Sequence, residues 1–114
     1  MTCSESIQSF AVTEKDNFPE INFYNIKKAA IVLRALNHKL RWQMVTMIYE
    51  NKRLSVTQIY VKLRLEQSVA SQHLSILRKA AVVSAERDGK MIYYTINSQR
   101  IKEISQFAEN LISV

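Results

Sequence analysis

The chain has 114 residues and a formal net charge of +6 at pH 7, with one glycine, one proline and one cysteine. This length fits one domain, the scarcity of glycine and proline argues against a fold with many β-turns, and a single cysteine excludes an intrachain disulfide. No apolar run reaches the roughly 18 residues that a membrane span needs, and no basic stretch followed by an apolar one marks a secretory signal, so we expect a cytoplasmic protein without a membrane partner.

The first 21 residues differ in charge from the rest of the chain. Residues 1–21 hold four acidic side chains and one basic one, a balance of −3, while the other residues hold 15 basic and six acidic ones, a balance of +9. We interpret residues 1–21 as a flexible arm or a marginal extra helix, and residues 22–114 as the folded domain. The basic domain indicates a polyanionic partner, with a merely solvated basic surface as the alternative.

A stripe of apolar residues at helical spacing predicts a first helix that begins near Asn22 or Asn25, both of which can cap a helix. The stripe consists of Phe23, Ile26, Ala30, Leu33 and Leu36. Because Ala29, Ile31 and Val32 lie off this stripe, the helix is apolar on more than one side. Such a pattern suggests that a second subunit covers part of the helix.

Two further helices are predicted between residues 37 and 63. Asn37 can cap the second helix, which covers residues 38–51. Ser55 and Gln58 match the capping box S-x-x-Q and predict the start of a short third helix. The intervening residues 54–56 suit a strand of a single bridge.

The fourth predicted helix, residues 67–80, has one apolar face and one polar face without an acidic side chain. The polar face includes uncharged hydrogen-bonding residues in its first half and basic residues at its end: Gln67, Ser68, Ser71, Gln72, Arg78 and Lys79. The first four have the spacing i, i+1, i+4 and i+5, so they share one side of the helix.

A β-hairpin and a last helix complete the pattern. Two β-prone runs flank Asp88-Gly89, which is a strong hairpin signal because a type I′ turn needs positive φ at both central residues. Arg87 and Lys90 flank the predicted tip. The last helix, residues 100–112, carries an apolar seam at a/d-like spacing, formed by Ile101, Ile104, Ala108 and Leu111.

The order of elements, α-α-(β)-α-α-β-β-α, is mainly α with a small β-hairpin and predicts a winged helix-turn-helix. An α-helix fits the major groove of B-DNA, and side chains near its N-terminus reach base edges. The candidates for reading bases are Gln67, Ser68, Ser71 and Gln72. The hairpin, or wing, of residues 86–91 is predicted to contact the flanking backbone or the minor groove. The candidates for contacts to the DNA backbone are Arg41, Arg78, Lys79, Arg87 and Lys90. Solvated polar faces are the alternative to both sets.

The stretch from ALNHKLRWQMV through LSVTQIYVKL to LEQSVASQHLSILRKAAVVSAERDGKMIYYTIN resembles the ArsR/SmtB family of bacterial dimeric repressors. The match covers residues 26–112, and its most specific parts are VASQHLSILRKA and ERDGKMIYYTI, which arrive at the family's spacing. The resemblance implies a homodimer built from the first and last helices, a palindromic operator, and repression that ends when a signal is sensed. The dimer residues that follow are Ile26, Ala30, Leu33, Ile101, Ile104, Ala108 and Leu111.

The places where metal sensors of this family carry ligands hold other residues here. Ser55 and Thr57 stand where those sensors have Cys-x-Cys near the third helix. The places of a second family site, in the last helix, hold Ser98, Arg100, Leu111 and Val114. An arginine cannot bind a metal at neutral pH. We therefore expect no metal and no cofactor, and the effector stays unassigned.

Five further residues have structural expectations. Arg64 and Ala81 stand where relatives often carry glycine. If Ala81 must adopt a left-handed conformation, the strain is roughly 1 kcal/mol; alternatively the fourth helix continues by a residue or two. His73 is expected to pack or hydrogen-bond inside the fold, and His38 to lie on the surface at a helix start. Cys3, a single thiol in the arm, is a poor candidate for a sensor.

These patterns predict a sequence-specific regulator of transcription that binds double-stranded DNA as a homodimer and acts as a repressor. An enzyme is not expected, because the sequence contains no glycine-rich phosphate loop, no paired carboxylates and no Cys/His nucleophile arrangement. The alternative is a winged-helix module for protein–protein contacts without sequence-specific DNA binding. Such a module would present an apolar or acidic fourth helix, whereas this helix is neutral to basic.

Overall fold

The computed structural model describes residues 20–113, so residues 1–19 of the predicted arm, with Cys3, lie outside the described residues. Within this range, five helices and three strands follow one another: α1 (Phe23–Leu36), α2 (Lys39–Asn51), β1 (Leu54–Ser55), α3 (Val56–Leu63), α4 (Gln67–Lys79), β2 (Val83–Asp88), β3 (Met91–Ile96) and α5 (Ser98–Ile112). The prediction of a mainly helical winged fold with a small hairpin is confirmed.

Side-chain caps determine where most of these helices begin. The predicted caps Asn22, for α1, and Ser55, whose capping box opens α3, are both present. The prediction for α2 was wrong by one residue, because His38 caps it and Asn37 instead ends α1. The last helix begins two residues earlier than predicted, because the side chain of Asn97 accepts a hydrogen bond from a backbone N–H in its first turn.

The strands form an antiparallel sheet in the order β1-β3-β2. Asp88 pairs with Met91, so the two turn residues of the wing are Gly89 and Lys90. Gly89 has a φ of +66°, whereas Lys90 is not at positive φ. Positive φ at the first turn residue alone is the type II′ pattern. The expectation of a type I′ turn centred on Asp88-Gly89 was therefore wrong, because the strands pair one residue further along.

The core lies between α2, α3, α4 and the sheet. Its fully buried apolar side chains include Met44, Ile48, Ile59, Leu74, Leu77 and Val82. By contrast, Ala35 is the one buried residue of α1, and no residue of α5 is buried. The apolar face of α4 is therefore packed into the core. By contrast, α1 and α5 lie at the outside of the described domain and leave apolar side chains exposed.

Ala81 adopts the left-handed conformation, with a φ of +63°. Helix α4 ends at Lys79 with Ala80 as its C-cap, so the alternative of a longer helix is wrong. Two side chains from the start of α5 bond to this turn: Arg100 Nε donates to the Ala80 carbonyl at 3.0 Å, and Asn97 Nδ2 donates to the Ala81 carbonyl at 3.1 Å. The strained turn after α4 is thus held from α5.

Candidate nucleic-acid interface

The polar face of α4 is open to solvent. The four predicted base-reading residues are all exposed, namely Gln67, Ser68, Ser71 and Gln72. The opposite face of the helix is anchored, because Ala70, Leu74 and Leu77 are buried in the core. The hydrogen-bonding side chains are thus presented on a helix whose orientation is set by packing. Such a helix can offer amide and hydroxyl groups to base edges without reorganising.

Four of the five predicted backbone-contacting residues are exposed: Arg78, Lys79, Arg87 and Lys90. Arg87 and Lys90 lie at the tip of the wing, on either side of Gly89. Arg78 and Lys79 lie in the last turn of α4, about 17 Å along the helix axis from Gln67. Lys79 also lines a groove between α1 and α5. The structure therefore brings the basic side chains Arg87 and Lys90 together at the wing tip. It leaves the basic side chains Arg78 and Lys79 at the far end of α4 from Gln67.

Arg41, the fifth predicted backbone contact, is buried, with 8% of its surface exposed. Its Nε donates to the Ala35 carbonyl at 2.7 Å and its Nη2 to the Arg34 carbonyl at 3.2 Å. These carbonyls belong to the last turn of α1, where helical carbonyls lack partners within the helix. The guanidinium thus caps α1, and this placement does not support a phosphate contact by Arg41.

His73, which is partly buried, contacts the Arg41 side chain. Its Nδ1 accepts a hydrogen bond from Arg41 Nη1 at 3.2 Å, which places the ring proton on Nε2, and its ring centroid lies 4.9 Å from that of His38. Burial lowers the pKa of His73, and the neighbouring His38 and Arg41 lower it further. His73 is therefore a neutral structural acceptor on the inner side of α4, and His38 is the cap of α2.

Sequence reasoning missed Arg53, which lies at the base of the wing. Its Nη2 bonds to Asp88 Oδ2 at 3.1 Å, and its Cζ lies 3.7 Å from the centre of the Tyr93 ring. Arg53 and Asp88 are 35 residues apart in the chain. No local pattern could have joined them, because the contact depends on the pairing of β1 with β3.

The seven predicted dimer residues are all at least partly exposed on the protomer. Ile26 and Leu111 expose 52% and 63% of their surface, while Ile101 and Ile104 pack partly against the core. A groove of ≈ 500 Å³ separates α1 from α5. Further large apolar side chains are exposed on the same two helices, although they are not among the seven predicted dimer residues: Phe23, Tyr24, Ile31, Phe107 and Ile112.

Two of the places where the family's metal sites carry ligands hold residues that bond to the backbone here. Ser55 caps α3, and Arg100 bonds to the carbonyl of Ala80. Among residues 20–113, no group of three or more His, Cys, Asp or Glu side chains is arranged to hold a metal ion. Val114 and Cys3 lie outside the described residues. In this part of the chain no helix is both long enough and apolar enough to cross a membrane.

The sequence matches regulators of transcription. The family model "Bacterial regulatory protein, arsR family" matches residues 38–85. The transcriptional repressor PagR of Bacillus anthracis is 36% identical over 85 residues, which are 75% of this chain and 85% of PagR. The transcriptional activator HlyU of Vibrio cholerae is 32% identical over 87 residues, which are 76% of this chain and 80% of HlyU.

Solved structures agree with this match. The crystal structure of PagR from Bacillus anthracis superposes with a TM-score of 0.61 at 34% identity, covering 76% of this chain and 99% of PagR. HlyU from Vibrio cholerae superposes with a TM-score of 0.61 at 31% identity, covering 79% of this chain and 97% of HlyU. The chain therefore belongs to the ArsR family of bacterial regulatory proteins and is a DNA-binding helix-turn-helix regulator of transcription, not an enzyme.

Proposed function

We propose that the protein represses transcription by binding a palindromic operator as a homodimer, with α4 in the major groove and the wing on the flanking backbone or minor groove. The observation that carries this proposal is the exposed row of four hydrogen-bonding side chains on α4. Glutamine can bond to adenine through two atoms at once, and serine can donate to or accept from several bases. A row of this kind on a helix anchored by its other face is suited to reading sequence.

The basic residues supply the attraction to the DNA backbone. Arg87 and Lys90 at the wing tip, with Arg78 and Lys79 at the end of α4, are exposed and can approach phosphates. Such contacts fix the position of the protein along the duplex but carry no sequence information. They also make the affinity fall as salt is added, because each neutralised phosphate releases bound counterions.

The dimer is supported by the uncovered apolar surface of α1 and α5. Side chains such as Ile26, Phe107 and Leu111 expose about half or more of their surface on the protomer. Large apolar patches of this kind on small proteins usually mark interaction sites. Two copies joined along these helices would present two α4 helices related by twofold symmetry, and a twofold protein favours a palindromic site with half-sites about one DNA turn apart.

Selection of bound duplexes from a random pool, with and without added metal ions, tests the proposal. We expect a palindromic consensus, and salt titration of the selected duplex should give a steep loss of affinity. Repression is tested by placing the selected site in a promoter and measuring transcription with the purified protein; a relative that carries the name of an activator makes this readout necessary. Affinity that is independent of salt and sequence would instead favour a protein-binding module.

A further inference from the structure

Arg53 contacts both strands of the wing from outside the hairpin. It directly precedes β1, and its guanidinium pairs with Asp88, the last residue of β2, at 3.1 Å. The same guanidinium lies over the ring of Tyr93, in β3, at 3.7 Å from the ring centre. A single side chain anchored next to β1 therefore touches the hairpin on both sides of its turn.

The wing tip has no net charge of its own. Residues 86–91 contain two acidic and two basic side chains. Asp88 is next to the turn residue Gly89, and 67% of its side chain is exposed. A phosphate that approaches Lys90 or Arg87 therefore also meets the carboxylate of Asp88. Because the Arg53 guanidinium neutralises that carboxylate, the wing together with Arg53 carries a net positive charge.

Stability of the fold is a poor explanation for this cluster. The Arg53 side chain is 43% exposed, and ion pairs between exposed side chains contribute little to the free energy of unfolding. A guanidinium that stacks on an aromatic ring while bonding to a carboxylate is, however, restricted in position. The contacts of Arg53 are thus better suited to setting the charge and direction of the wing tip than to holding the domain together.

We propose that Arg53 is a positioning residue for DNA binding, which neutralises Asp88 and directs the wing tip so that Arg87 and Lys90 can approach phosphates. This inference rests on the proposed function, because it concerns the same DNA-binding surface. It assigns to Arg53 an action through its neighbours and not through a phosphate contact of its own.

A charge-rescue experiment tests the inference. Affinity for the selected duplex and for mixed-sequence duplex is measured by fluorescence anisotropy for the wild type, R53A, D88N and R53A/D88N. We expect R53A to weaken binding about fivefold at low salt, because an unpaired carboxylate about 8 Å from a phosphate costs about 0.5 kcal/mol in water and the proposed dimer has two wings. D88N in the R53A background should restore most of the loss, because the amide carries no charge to repel phosphate.

Two outcomes overturn the inference. The first is that R53A binds as tightly as the wild type. The second is that the loss of affinity persists unchanged in R53A/D88N, which would mean that Arg53 itself contacts phosphate. K102A, which removes one exposed positive charge from α5, is the control for a general loss of charge and should bind within about twofold of the wild type. Urea unfolding of each variant shows whether the fold is intact. If the wild type itself shows no salt-dependent binding, the proposed function fails; if it binds and R53A matches K102A, the Arg53 inference alone fails.

Discussion

Arg41 donates a hydrogen bond to Nδ1 of His73 across 3.2 Å and so joins α2 to the helix that presents the polar face. The acceptor role requires an unprotonated Nδ1. The lowered pKa of His73 agrees with this geometry, because burial and the adjacent Arg41 and His38 disfavour a second positive charge. The orientation of α4 thus depends in part on a neutral imidazole, which has a consequence for stability in acid.

We expect the free energy of unfolding to decrease as the pH falls below 6.5, the ordinary pKa of histidine. In the unfolded chain His73 then gains a proton, whereas in the folded chain its pKa is lower and it does not, so the unfolded state is favoured. The decrease should continue down to the lowered pKa and then stop. In H73Q the amide oxygen can still accept from Arg41, but the side chain does not titrate. The free energy of unfolding of this variant, measured in urea, should therefore depend less on pH between neutral and mildly acidic conditions. H38N keeps a capping side chain on α2 and keeps His73, and it should retain most of the pH dependence because burial is the largest cause of the lowered pKa of His73. Equal slopes for H73Q and the wild type would contradict the assignment.

R41A should lower the free energy of unfolding by about 2 kcal/mol, because it leaves the buried Ala35 carbonyl without its side-chain donor. The exposed R78A should change that free energy by less than about 0.5 kcal/mol. We expect the opposite order for DNA affinity, measured on the folded fraction of each variant: R78A should bind more weakly than R41A. Urea unfolding and anisotropy at a temperature where both variants are folded provide the comparison, and an unchanged stability of R41A would refute the capping role.

A81G should stabilise the protein by about 0.5 kcal/mol, because relief of the left-handed strain, roughly 1 kcal/mol, exceeds the roughly 0.5 kcal/mol of chain entropy that glycine adds to the unfolded state. A80G is the matched control one residue earlier. Ala80 has a φ of −84° and is buried, so glycine there removes a packed methyl group and adds chain entropy to the unfolded state. We expect opposite shifts of the urea midpoint for the two variants. Destabilisation by both would show that the turn at Ala81 is not strained.

The double variant Q67A/Q72A should lose sequence preference more than total affinity. Each well-placed bidentate contact discriminates against the wrong base by about 1–3 kcal/mol, while phosphate contacts remain. R87A/K90A should do the reverse, with weaker binding to all duplexes and a slope of log affinity against log salt that is smaller by about 3.6, because a dimer loses two positive charges on each of its two wings. Both variants are titrated on selected and mixed-sequence duplexes. If Q67A/Q72A lost affinity equally for the two duplexes, the assignment of these glutamines to base reading would be contradicted.

L111D should convert the protein from dimer to monomer in sedimentation at micromolar concentration. Leu111 is largely exposed on the protomer, so the charge should disturb an interface and not the core. Y49D, which places the same charge at an exposed aromatic of α2 outside the predicted interface, is the control and should stay dimeric. A wild type that sediments as a monomer would refute the dimer itself.

The sequence was most informative where structure is local. The capping box at Ser55 and the amphipathic pattern of α4 each depend on residues within one turn, and both appear as predicted. The wing turn was misplaced because Asp88-Gly89 signals a hairpin but not its register, which pairing across the sheet decides. The burial of Arg41 was missed for a related reason: its position on α2 is readable, whereas the carbonyls at the end of α1 to which it donates belong to another helix.

The hydrogen bonds from Asn97 and Arg100 to the turn after α4 have a mechanical meaning in the proposed dimer. These bonds join the end of α4, the helix that we propose faces DNA, to the start of α5, the helix that we propose faces the second subunit. The distance between the two α4 helices would then depend on the packing angle between the two α5 helices. A shift of that angle by a few degrees would change the separation of the α4 helices and hence the half-site spacing that the protein can bind.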